Sequence, residues 1–452
     1  MYLFTYIHVP LMAGFAIWFW QIDATKVLSW VYENSFSLKS VYTFSVIAVL
    51  FCFVRLILQA LFCKVLGPIK PGYYCRYGTK YIHMWLKDMM VELAGNTLSG
   101  TLFWPYWLRL AGMKIGKNCE ISTIMNVVPE LVKIDDEVFF ADGVYLGGPA
   151  VDRQIVYVGE VHLSKNTFIG NHSIIPSESK LPEDILMGIC TVADHKKMEK
   201  GSSWFGHPSF RLPNREVLEL PRELTHNPAW YRYLTRLFWE TLRFFTPVVP
   251  AIVAIMWVSV TSYYSQTQSN LLFFGLTIHL ITIGFMFFMV MLIFAMKWCL
   301  LGKVKPGIHP LWSCWCSRWD FLYVAWAQYA RKVLAYFEGT LMLGWWLRLM
   351  GAKVGKRVLL GNGFAQVVDP DMLRFDDYST VLCMFQAHSF EDRILKIAPV
   401  HIKKGATVGN AAVLLYGADI GEKTRVYDNS VVMKNERLMP AHQYVGCPTS
   451  CI

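Results

Sequence analysis

The chain has 452 residues, 54% of them apolar and only 17% charged, with a formal net charge of +10. Such a composition is too apolar for an ordinary soluble protein, and no basic–aromatic recognition motif supports reading the positive balance as nucleic-acid binding. Eleven cysteines are scattered without a four-ligand zinc pattern, so neither a metal centre nor a disulfide framework is expected.

Four apolar stretches account for the excess: residues 2–20, 41–63, 244–264 and 271–296. Each approaches or exceeds the roughly 20 residues that cross a bilayer core. The first contains His8 and Pro10 and follows nothing basic, so it lacks the n-region of a signal peptide. Its position at the start of the chain suggests an upstream partner or domain. Arg55 lies inside the second stretch, where a charge either snorkels, faces protein or serves a function. The link 262–270 has no Lys or Arg, whereas Lys64, Lys70, Arg76, Lys80 and Lys87 follow the second stretch and Lys297, Lys303 and Lys305 follow the fourth. The positive-inside rule then predicts a multi-pass integral membrane protein with its large segments on the cytoplasmic side.

After the second stretch, Gly67, Pro68, Pro71 and Gly72 turn the chain out of the bilayer. Residues 73–98 read as a helix rich in Tyr, Trp and Lys, suited to the headgroup level. The motif W-L-R-L-A-G-M-K-I-G (107–116) marks a helix end, and a new period begins beyond it. Leu163, Ile169, Ile175, Leu181 and Met187 recur every six residues, with Thr167, Ser173 and Ser179 at small corner positions. The period is clearer near the C-terminus. There Ile402, Val408, Leu414, Ile420, Val426 and Val432 alternate with Ala406, Ala412, Ala418, Thr424 and Ser430. Six fits neither the helix period nor the strand period. It is the period of a hexapeptide β-helix, in which three six-residue faces make one triangular coil and the aliphatics stack inward.

The plan occurs twice. Gly339, Thr340 and the motif W-L-R-L-M-G-A-K-V-G (346–355) repeat Gly100, Thr101 and residues 107–116 at an offset of 239, and Gly409-Asn410 repeats Gly170-Asn171 at the same offset. The predicted architecture is membrane α plus parallel β. A transmembrane hairpin (1–66) leads to interfacial helices (67–110) and a left-handed parallel β-helix (111–220). A linker with a second hairpin (221–297), interfacial helices (298–350) and a second left-handed β-helix (351–452) follow.

The stretch with most chemistry is Q-A-H-S-F-E-D-R (386–393), one coil before the regular hexads. His388 is the candidate general base, and Glu391 or Asp392 is the candidate carboxylate to fix its tautomer. Arg393 is a candidate for substrate binding. Such a polar run is expected on a loop or outer face, where the alternative is an exposed turn with solvated ion pairs. In the first half Asp152-Arg153 match Asp392-Arg393 at an offset of 240, but no histidine matches His388. His162 and His401 match each other and are expected to point outward, either lining a groove or as plain surface residues. Asn171 and Asn410 follow glycines at corners, where a turn role suffices and groove lining is the alternative. His195, His207 and His442 flank the closing loops, and Trp204, Trp345 and Trp346 read as packing or anchoring residues.

The duplicated plan, the repeated W-L-R-L-x-G-x-K-[IV]-G, the closing G-S-S-W-F-G-H-P (201–208) and H-S-F-E-D-R (388–393) together resemble the C-terminal membrane region of epsilon-poly-L-lysine synthetase-type non-ribosomal peptide synthetases. The resemblance covers nearly the whole chain. It implies tandem acyltransferase-like modules that join amino acids or amines through amide bonds. The donor would be an acyl or aminoacyl thioester on coenzyme A or a phosphopantetheine arm, with no covalently bound cofactor. It further implies a carrier or adenylation protein as partner, a small-molecule amine as acceptor, and His388 as acceptor of the amine proton. This chain departs from that pattern in having no adenylation or carrier domain and two tandem modules where that synthetase has three. A coenzyme A-dependent O- or N-acetyltransferase acting on a lipid or sugar, and a non-catalytic membrane scaffold, are the alternatives.

Overall fold

A computed structural model describes residues 14, 15, 17, 18, 21, 37–213, 218, 220–367 and 369–452. The first apolar stretch, 2–20, therefore lies outside the described residues but for four positions. Among the described residues, three helical segments are long and apolar enough to cross a membrane: Ser45–Val65, Arg222–Thr267 and Asn270–Leu300. They cover the other three predicted stretches except residues 41–44. Arg55, on the first of these, is turned toward protein, donating to the Thr97 hydroxyl at 3.0 Å.

The chain forms two compact units, one built mainly from residues 50–228 and the other mainly from 229–390 and 394–452. Each contains three sheets of short parallel strands. In the second unit Ile402 pairs with Ile420, Val408 with Val426 and Leu414 with Val432. Each step spans three hexads, so one coil returns the chain to its starting face. All six of the hexad aliphatics from Ile402 to Val432 are buried, as are Ala406, Ala412, Ala418, Thr424 and Ser430 at the corners. In the first unit Leu163 pairs with Leu181 and Ile169 with Met187, again three hexads apart. Thr167, Ser173 and Ser179 are buried at its corners.

The repeated motif before each coil stack has a structural cause. Arg109 Nε donates to the Ile115 carbonyl at 3.0 Å, and Arg348 Nε donates to that of Val354 at 2.8 Å. Each arginine thus satisfies carbonyls of the first coil and fixes the preceding helix on it. Gly112 and Gly351 end those helices at φ of 119° and 112°, a region that disfavours a side chain.

The structure corrects two local readings. Residues 73–98 are not one helix: Gly72–Cys75 is a strand, and the helix runs Thr79–Leu98. The polar run at 388–393 is not a loose loop. His388–Glu391 and Ile394–Ile397 are adjacent strands of a three-stranded sheet whose other edge is Gly307–Pro310. Asp392 and Arg393 join them with φ of 45° and 66°, as a two-residue type I′ turn requires. This hairpin is an insertion in a coil. Phe375 pairs with Ile402, which makes this coil half as long again as the plain three-hexad one. The first unit carries the same device in the coil that pairs Ile134 with Leu163, where the insertion is slightly longer.

Candidate active site

His388 begins the inserted strand, and its side chain is about one-fifth exposed. Its Nδ1 lies 3.1 Å from Oδ2 of Asp369. The other carboxylate oxygen of Asp369 accepts a hydrogen bond from Trp319 Nε1 at 2.8 Å, and the Asp369 side chain is 1% exposed. A buried carboxylate accepts only, so the nitrogen facing it is the protonated one. His388 Nδ1 therefore donates, and its Nε2 is left as a basic lone pair. No hydrogen bond engages that nitrogen among the described residues.

The surrounding elements hold this arrangement. Trp319 lies on the helix Cys314–Tyr329, whose start is capped by the Ser313 hydroxyl accepting from the Cys316 amide at 3.1 Å. The edge of Trp319 meets the His388 ring at 5.1 Å between centroids and 81° between planes. Asp369 sits at φ 57° and ψ 53°, immediately before Pro370. A left-handed backbone before proline is disfavoured. It is held by the surrounding contacts and aims the carboxylate at the histidine and the indole. His309, on the strand Gly307–Pro310, stacks on Trp315 at 3.8 Å and 11°. Burial holds the His309 imidazole below its ordinary value, with the Asp369 carboxylate acting in the opposite direction.

The carboxylate that orients His388 is therefore Asp369, and the assignment of that role to Glu391 or Asp392 is corrected. Both lie at the far end of the hairpin, and Glu391–Arg393 belong to the first unit. Asp392 accepts from its neighbour Arg393 at 3.4 Å. Arg393 is fully buried, donates to the Asn118 carbonyl at 2.6 Å and lies 3.0 Å from His226 Nε2. Its guanidinium is engaged in packing. His162 and His401 make matching hydrogen-bond contacts through Nε2, to Asp135 and Asp376 respectively, each at 2.8 Å. Asn410 offers its backbone amide to Asp428 at 2.8 Å, and Asn171 Oδ1 accepts from the Asp142 amide at 3.1 Å. None of these four is bonded to His388 or Asp369. Asp369, Trp319 and His309 carried no motif signal. The one available clue was the D-P dipeptide at 369–370, at a place where the first half reads V-P at 128–129.

No protein-family model matches the chain. A curated relative does: delta-poly-L-ornithine synthetase from Acinetobacter baumannii strain AB307-0294 is 31% identical over 400 residues, covering 85% of this chain. This chain is a relative of a poly-amino-acid synthetase. The resemblance read from its motifs holds, and this chain spans 29% of that synthetase's length. Among solved structures, a maltose O-acetyltransferase from Clostridium difficile 630 is 15% identical over 32% of this chain and 94% of its own, with a TM-score of 0.24. A mutant N-acyltransferase from Bacillus cereus, crystallised with coenzyme A and a dTDP-amino sugar, is 19% identical over 22% of this chain and 57% of its own, with a TM-score of 0.16. The fold assignment rests on the strand registers, and the expectation of an enzyme agrees with a synthetase relative.

Proposed function

We propose that this chain forms amide bonds by acyl transfer, as part of poly-amino-acid or related non-ribosomal peptide synthesis. The observation that carries the reading is the buried Asp369 carboxylate, shared between His388 Nδ1 and Trp319 Nε1. It fixes one tautomer of His388 and presents a basic nitrogen to substrate. The amine nitrogen attacks the thioester carbonyl carbon, forming the C–N bond. His388 Nε2 takes the amine proton. The carbonyl re-forms, the C–S bond breaks, and the proton passes to the departing sulfur. Amide formation from a thioester runs downhill, so orientation of the two substrates and one base supply the rate.

The donor is an acyl or aminoacyl thioester on coenzyme A or on a carrier's phosphopantetheine arm, delivered by a carrier or adenylation partner. The acceptor is a small amine, and nucleic acid is not a partner. Both coil stacks are left-handed β-helices within the domain limits expected from the sequence. The chain is held in a membrane through the three apolar helices, with both β-helices on the cytoplasmic side.

The test uses the full chain, supplied with a carrier loaded with an aminoacyl thioester and a panel of amines, and read by mass spectrometry. The proposal expects amide products that disappear in His388→Ala. Equal product from His388→Ala would overturn the assignment of the base. Stable binding of a synthetase without turnover of any thioester would favour a scaffold.

A further inference from the structure

The duplication provides an internal control for the candidate active site. Strand registers and the starts of the matching helices and turns give the equivalences without reference to side-chain chemistry. Gly307 pairs with Ile397 and Gly72 with Val158, so the first strand is offset by 235 and the hairpin by 239. The helices Cys314–Tyr329 and Thr79–Leu98 start 235 apart, and the short turns Pro370–Met372 and Pro129–Leu131 start 241 apart. His309 therefore corresponds to Tyr74, Trp319 to Met84, Asp369 to Val128 and His388 to Pro149. The same registers place Asp392-Arg393 opposite Arg153-Gln154, which corrects the match with Asp152-Arg153 by one residue. In the first unit Met84 and Val128 pack with Ile69, Leu131, Val156 and Val158, and Tyr74 closes over them. The positions of Trp319, Asp369 and His309 are thus taken in the first unit by members of one hydrophobic cluster, and that of His388 by a proline.

One of the four, His309, has no part in the hydrogen bonds described above. It shares a sheet face with His388. His309 pairs with Leu395 and Gly307 with Ile397, while the Ala398 amide bonds to the Ala387 carbonyl and so sets Ile397 opposite His388. Side chains two apart on a strand, and those directly opposite across strands, lie on one face. His309 Nε2 lies 3.7 Å from where a Cβ on Gly307 would stand. The ring therefore leans over Gly307, in the cross-strand row that contains His388. Two strand spacings separate the ends of that row, about 10 Å. No hydrogen bond engages either ring nitrogen of His309 among the described residues, and its stack on Trp315 fixes its plane.

We propose that His309 is a second substrate-contacting residue of this site, donating an N–H to the carbonyl oxygen as it becomes an oxyanion. This rests on His388 acting as the base. As the amine attacks, the carbonyl π pair moves to oxygen, and a donor fixed by stacking stabilises that charge without reorganising. When the intermediate collapses, the pair returns to carbon and the thiolate leaves. A neutral imidazole suits the donor role, and burial favours that form of His309. The first unit has neither imidazole, so it supplies neither the base nor this donor.

The test compares His309→Phe, which keeps a ring for Trp315, with His309→Gln, which keeps an N–H donor, in single-turnover amide formation by the full chain. We expect His309→Phe to lose about 10²–10³ in rate with little change in the concentration of amine giving half-maximal rate, and His309→Gln to retain most of the activity. A phosphonate analogue of the tetrahedral intermediate is expected to bind His309→Phe correspondingly more weakly, a readout that does not depend on turnover. Parent-like rate and analogue binding in His309→Phe would overturn the proposal, and so would equal losses in Phe and Gln. If His388→Ala is inactive while His309→Phe is normal, only this inference fails. If both variants are fully active, the reading of the site fails with it.

Discussion

At the residue scale, Asp369 organises the site. A charge this deeply buried is costly unless each oxygen is paired, and here each oxygen has one N–H donor. Asp369→Asn replaces an acceptor oxygen with a donor, which forces His388 into the other tautomer or breaks the contact. We predict that it lowers single-turnover amide formation by about 10²–10⁴, the range of a general-base contribution. Trp319→Phe keeps the ring and removes the indole N–H. Loss of a hydrogen bond to a charged group costs about 1.5–3 kcal/mol, and we expect a lower denaturation midpoint together with a reduced rate. His388 was legible in the sequence because a histidine within a polar run stands out against an apolar repeat. Asp369 and Trp319 were not, because they come from earlier elements of the chain and meet His388 only after the coil has closed. Proximity in sequence favoured Glu391 and Asp392, but the type I′ turn carries them to the opposite end of the hairpin.

At the element scale, the hexad pattern was read correctly because its period is set by the coil itself. Every sixth side chain must fill the same narrow interior, so the pattern survives wherever the coil is regular. Removing one inward aliphatic leaves a cavity between coils that cannot collapse. Leu414→Ala should therefore lower unfolding stability by about 2–5 kcal/mol in chemical denaturation. The hairpin insertion interrupts the period, and its strand character was missed for that reason. The strand Gly72–Cys75 was missed because its partner, Ile155–Val158, is distant in sequence. The helix Thr79–Leu98 contains a further testable group. Burial pushes the Asp88 carboxyl up to about 6, with hydrogen bonding to the Val127 amide opposing the shift and Glu92 reinforcing it. The folded state thus holds this proton more tightly than the unfolded chain. The contribution is fully present below pH 4 and is lost as pH rises through about 6. Asp88→Asn retains an oxygen to accept from Val127 and removes the charge. It should raise the unfolding temperature at pH 8 and leave it nearly unchanged at pH 4.

At the scale of the whole molecule, one plan has been used twice with different outcomes. Each unit buries a lysine against an acid in its first coil: Lys87 with Glu130, and Lys297 with Asp371. In each, the acid also accepts a backbone amide of the loop that follows an apolar helix, from Ile69 at 2.7 Å and Val304 at 3.3 Å. The lysine comes from the helix Thr79–Leu98 in one unit and from Ile278–Leu300 in the other. The attachment of coil to helices is preserved while its source changes. The polar set around His388 is not preserved, and its place in the first unit is filled with apolar side chains. The duplication itself was legible from the offset of 239, as was the missing histidine. That Tyr74, Met84 and Val128 replace the other three members is visible only in the folded elements, from strand register and from where the matching helix and turn begin. We predict one active centre in this chain. The most direct test is the single-turnover rate of amide formation from an aminoacyl phosphopantetheine thioester and an amine, measured with the full chain and with His388→Ala. We predict that the single substitution removes at least about 10²-fold of the rate while the fold is retained. A folded His388→Ala chain that forms amide at the parent rate would contradict the account.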